Sequence, residues 1–138
     1  MITGLHHINL VVPPDTLDEA AAFYGTTLGL TPRAVPALQK GKLLWFDIGS
    51  SGQQVHLAFG QPEDFSFDSR RHPCFRVADG DQLVALQRRI FAHLEAGGTG
   101  APKAADRPGE MNSGEQGVEY PERFFARDYA GNRLEFTL

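Results

Sequence analysis

The chain has 138 residues, 41% hydrophobic and 22% charged, with a formal net charge of −4 and a pI near 5.7. These are the size and composition of one globular domain with enough core to fold without staples. The acidic balance, the lone Cys74 and the lack of any apolar run near roughly 20 residues argue against nucleic-acid binding, internal disulfides and membrane spanning.

No basic segment followed by an apolar stretch opens the sequence, so a cytoplasmic protein in a reducing compartment is expected. Cys74 reads as inert packing rather than as a reactive thiol. The first predicted element is a strand from Leu5 to Val12 (LHHINLVV), ended by Pro13-Pro14. Thr16 and Glu19 match a capping box, Thr16 as N-cap, opening a helix over LDEAAAFYG that stops near Gly25. KLLWFDIGS and QQVHLAFG follow as two strands with a hairpin turn between them. Residues 60–71 are a polar connector.

The same order then returns. HPCFRVAD reads as a strand, and GDQLVALQRRIFAHLEAGG as a helix. Leu83, Leu86, Ile90 and Leu94 form its apolar stripe and Gly97 closes it. ERFFARD and NRLEFTL are strands joined by a turn at YAG. The chain thus divides into module one, about residues 1–60, and module two, about residues 71–138. His7 and His56 are 49 residues apart, whereas His72 and Glu135 are 63 apart; the excess falls in residues 98–122, a long loop read either as a lid or as disorder.

Strand alternation sorts the side chains. Ile8, Leu10 and Val12 share one face of the first strand, while His7, Asn9 and Val11 share the other. His56 lies opposite Val55, Leu57 and Phe59. His72, Cys74 and Arg76 lie opposite Phe75 and Val77. Arg133, Glu135 and Thr137 lie opposite Leu134 and Phe136. Each mixed face therefore carries one metal-ligand type: His7, His56, His72 or Glu135. Their repeat-equivalent positions predict that they converge in a cavity. His6 has the parity of Ile8 and is expected at a surface or edge. Arg76 and Arg133, with the site parity, are candidates to hold an anionic substrate, with Asn9 beside them. Tyr24 and Trp45 are expected in core or dimer packing.

The segments LHHINLVV, LDEAAAFYGTTLGL, QQVHLAF, HPCFRVADGDQL and RFFARDYAGNRLEF resemble those of the vicinal oxygen chelate superfamily, the glyoxalase/bleomycin-resistance/dioxygenase family. The resemblance implies an α+β fold of two βαβββ modules, whose curved mixed sheets enclose a cavity, and a homodimer. It implies metal ligands at His7, His56, His72 and Glu135, and a divalent cation of the Zn, Ni, Co or Fe kind. The implied activity is lyase or isomerase chemistry on a small oxygenated substrate, with Glu135 as first candidate base and His56 as second. Departures matter here. His56 stands where glyoxalase I has Glu or Gln and methylmalonyl-CoA epimerase has Gln, so a carboxylate base is missing at that position. His7, His72 and Glu135 alone would satisfy an extradiol Fe(II) dioxygenase. The tyrosine those enzymes carry ten residues before the glutamate is Phe125 here, which ranks that reading lower. The third reading is a metal-free protein that sequesters small molecules between aromatic walls.

Overall fold

The computed structural model describes residues 1–110 and 122–138. Two four-stranded mixed sheets carry the architecture, one per module. In module one, β1 (His7–Val12) is followed by the short helix α1 (Leu17–Ala20), which runs on as a π-helical segment over Ala21–Thr27. Then come β2 (Thr31–Arg33), β3 (Leu43–Asp47) and β4 (Gln54–Phe59), giving the sheet order β1-β4-β3-β2. Module two repeats it with β5 (Cys74–Arg76), α2 (Gly80–Ala96), β6 (Ala104–Ala105), β7 (Arg123–Arg127) and β8 (Arg133–Thr137), in the order β5-β8-β7-β6. In each sheet the first strand runs parallel to the last, and the other pairs are antiparallel.

Alternation fixes which face of each sheet is covered. Val12, Val55 and Leu57 from one sheet, and Phe124, Leu134 and Phe136 from the other, join Phe23, Tyr24, Leu83 and Ile90 of the helices in one buried cluster. Burying such side chains stabilises by roughly 1.5–3 kcal/mol each, which holds the register. The opposite faces carry the polar set and are exposed or half-buried except at Gln54, Phe125 and Glu135, which are buried.

Gly97 ends α2 as expected, at φ +68°, and at the other end Asp79 accepts from Gln82 N–H at 2.8 Å as its N-cap. α1 departs from expectation. Thr16 occupies the N-cap position, but its hydroxyl donates to Pro13 O at 2.6 Å and lies 3.0 Å from the Tyr129 hydroxyl, so no capping box forms. Cys74 departs too, being exposed rather than packed. Of the long loop, residues 98–110 fold back as a turn and β6, whereas residues 111–121 lie outside the described residues. Among the described residues, no helix is long and apolar enough to cross a membrane.

Several hydrogen bonds join the modules, and two of them are buried or partly so. Tyr24 donates its hydroxyl to Asp128 Oδ2 at 2.6 Å, and Asn132 Nδ2 donates to Val11 O at 2.8 Å. Gly100 (φ +71°) lies so close to Glu19 O and Ala22 that only a residue without Cβ fits.

Candidate functional site

The four ligand-type residues stand in two pairs, one on the open face of each sheet. In module one, His7 of β1 and His56 of β4 stack with ring centroids 4.0 Å apart and planes 11° from parallel. Trp45 of β3, the register partner of His56, stacks on its other side at 4.5 Å. Three rings thus cross three strands, because same-parity positions on adjacent strands sit side by side. The exposed His6 stays at the edge and meets His7 through the two Nδ1 atoms, 3.0 Å apart.

The tautomer of His56 follows from its neighbours. Gln54 donates Nε2 to Asp47 Oδ1 at 3.0 Å, so its Oε1 accepts from His56 Nε2–H at 2.9 Å. Nδ1 is then the lone-pair nitrogen. Burial, then the imidazoles of His7 and His6, hold the His56 pKa below its ordinary value. The folded state therefore takes up this proton at lower pH than the unfolded chain does. The resulting stability is complete above the ordinary histidine pKa and declines as pH falls from there through the folded value. In chelator-treated protein, His56→Gln is expected to reduce the loss of stability between pH 7.5 and 5.5, measured as the shift in urea midpoint. An unchanged shift would remove His56 from that account.

In module two, His72 donates Nδ1–H to Arg70 O at 2.7 Å, and its Nε2 lies 2.9 Å from Glu135 Oε2. A backbone carbonyl on Nδ1 is the arrangement that aims Nε2 of a metal-ligating histidine. Arg123 NH1 donates to Glu135 Oε1 at 3.2 Å, so both carboxylate oxygens are engaged in a nearly buried position. Phe125, directly across from Glu135 in the register, sets its ring edge-on to His72 with centroids 5.6 Å apart. Cys74 is exposed as a residue, but its thiol is partly sheltered against Glu135; that shelter and then the carboxylate push it up to about 11, so it stays protonated at neutral pH.

The predicted substrate residues sort similarly. Arg76 is exposed and lines a recess of about 800 Å³ with His7 and Cys74. Asn9 and Arg133 line a second, of about 650 Å³, with His72. Arg133 also stacks its guanidinium over Phe125, 4.3 Å from the ring centroid. Within one chain, His7, His56, His72 and Glu135 do not gather: among the described residues no three His, Cys, Asp or Glu side chains lie close enough to hold an ion. The donor set of three imidazoles and one carboxylate still matches a borderline divalent cation. The mixed faces predicted from alternation are thus the open faces, but each sheet contributes one half of the set.

Several residues of these faces carry no site role in the sequence reading. Trp45 faces His56 rather than the core, and Gln54 orients that imidazole. Arg123, Phe125 and Arg127 share a face of β7 with the site, and Arg127 pairs with Arg133 in the register. The alternation rule applied to RFFARD would have found all three.

No family model and no curated protein matches the chain. Solved structures do. A protein assigned to the glyoxalase family from Bacillus anthracis is 27% identical, with a TM-score of 0.68 over 99% of this chain and 94% of that one. The fosfomycin resistance protein FosX from Listeria monocytogenes is 17% identical, with a TM-score of 0.71, covering 99% of this chain and 91% of its own. A lactoylglutathione lyase from Agrobacterium tumefaciens is 20% identical, with a TM-score of 0.63, covering 99% and 93%. FosX has been crystallised with Mn(II).

Proposed function

This chain is by fold a member of the vicinal oxygen chelate superfamily, and from that premise we propose that it is a cytoplasmic metal-dependent enzyme of the lyase or isomerase type. It takes a small oxygenated substrate between two copies of the chain. The observation that supports this is the division of the ligand set, with an imidazole pair on one open sheet face and a histidine–glutamate pair on the other. Pairing module one of one copy with module two of another brings three imidazoles and one carboxylate together, and closes both open faces.

His7, His56, His72 and Glu135 would hold the ion, of the Zn, Ni, Co or Fe kind. Bound there, it would supply Lewis acidity to an oxygenated substrate. The chain's own groups do the rest. Glu135 takes the proton from the substrate carbon, and Nδ1 of His56 is the alternative acceptor. Arg76, Arg133 and Asn9 bind the substrate's oxygens from the rim. The Phe125 ring excludes water beside Glu135 and offers no hydroxyl, which is why an extradiol dioxygenase is the weaker reading.

The test is metal content after mixing variants. His7→Ala and Glu135→Ala are each expected to lose the ion. Refolded together in equal amounts, they regain about one quarter of the wild-type content, because half the dimers are mixed and each mixed dimer has one intact site. Wild-type protein that binds none of the four cations overturns the reading. Mixtures that stay empty overturn the shared site.

A further inference from the structure

We infer that Arg127 and Arg133 form a receptor for the carboxylate of a small, single-ring monoanion. They lie at the end of the module-two sheet, next to the His72–Glu135 pair. The inference deepens the proposed function by naming a substrate class, and it rests on the reading that this sheet face is the substrate face.

The two arginines are register partners on β7 and β8, so alternation places two guanidiniums side by side. Each is fixed by contacts other than an ion pair. Arg127 lies over Phe67, 4.9 Å from the ring centroid, and donates NH1 to Gly131 O at 2.9 Å and NH2 to Ser69 O at 3.0 Å. Arg133 lies over Phe125. Among the described residues, no carboxylate forms an ion pair with either. Two like charges held side by side by rings and carbonyls, with no carboxylate at ion-pair distance, repel one another, and an anion between them relieves that repulsion. Planar guanidiniums suit an oxyanion with two oxygens, because each presents a fixed fork of donors.

The cavity beside them sets the rest of the ligand. It measures about 280 Å³ and is walled by Phe67, Phe125 and the methyl groups of Ala104 and Ala105. That lies just below the roughly 300–1,000 Å³ of most ligand pockets, so it admits one ring with its acid group and little more. Asp106 also lines it, accepting Phe125 N–H at 2.8 Å. Asp68 and Asp128 also act on Arg127 from beyond ion-pair distance. With acidic groups on this rim, a singly charged carboxylate meets less repulsion than a phosphate dianion, which would meet Asp106.

Titration calorimetry on chelator-treated protein tests this with three probes: benzoate, benzyl alcohol and inorganic phosphate. Benzoate is expected to bind at least roughly tenfold more tightly than either of the others. Arg133→Gln, which removes only a ring contact from the fold, weakens benzoate by roughly tenfold or more while thermal unfolding stays put. Asp106→Asn, which keeps an acceptor for Phe125 N–H, shifts the preference toward phosphate. The inference is overturned if benzyl alcohol matches benzoate, if phosphate binds more tightly to wild type, or if Arg133→Gln leaves benzoate binding unchanged. Because no metal is present, failure here sinks the anion receptor alone. Failure of metal uptake sinks the proposed enzyme and leaves these titrations standing.

Discussion

Asp128→Ala is expected to destabilise the fold by roughly 3–5 kcal/mol, most of the margin of a small domain. The Asp128 carboxylate is fully buried in the turn between β7 and β8. It accepts from the Tyr24 hydroxyl at 2.6 Å, Ala130 N–H at 2.9 Å, Asn132 N–H at 2.8 Å and Asn132 Nδ2 at 2.9 Å. Alanine strands all of these donors at once, and each buried, unpaired donor costs about 1–3 kcal/mol before relaxation. Tyr24→Phe removes a single donor and should cost about 1–2 kcal/mol. Urea unfolding of both variants checks the ranking; a loss below that of Tyr24→Phe would refute it. Burial raises the Asp128 pKa, while its hydrogen bonds oppose the rise. The folded state therefore holds this proton more tightly than the unfolded chain. Its contribution is fully present below the ordinary aspartate pKa and is lost as pH rises through the folded value. Asp128→Ala should flatten that part of the stability profile.

Gly100→Ala is expected to cost about 3 kcal/mol or more, for two reasons that add. The backbone there has φ +71°, which an L side chain adopts at a penalty, and a Cβ would overlap Glu19 O in the turn of α1 and come within 3.1 Å of Ala22 Cβ. A main-chain carbonyl cannot swing aside as a side-chain tip does. Gly98→Ala separates the two causes, since that glycine has φ +87° and nothing within 4 Å of the added atom. It should lose only about 1 kcal/mol. Equal losses in thermal unfolding would show that docking against α1 contributes nothing.

Both residues join the modules, and neither role was legible in the sequence. Tyr24 was expected in core or dimer packing, and it is core, but its hydroxyl partner lies 104 residues away. Local pattern carries no such information. What was legible followed from period: the apolar faces of β1, β4, β5 and β8 and the stripe of α2 all depend on spacing within one element. β2 and β6 escaped because they lack that spacing. β2 is Thr-Pro-Arg at a sheet edge, where proline costs no ladder bond, and β6 is two alanines paired to β7. The capping motif misled because Thr16 met a nearer acceptor in Pro13 O and a distant hydroxyl in Tyr129. The ligand positions were found by parity, but parity assigns a face and not a distance. It could not show that the imidazole pair and the histidine–glutamate pair of one chain stay apart.

Trp45 is the only tryptophan in the chain, and it lies flat against His56. Indole emission depends strongly on what sits within van der Waals reach, and here the neighbour is an imidazole that can gain a proton or a ligand. The protein therefore carries its own label-free optical probe. Events at that imidazole can be followed in real time on unmodified material, without competition from any second fluorophore of the same kind.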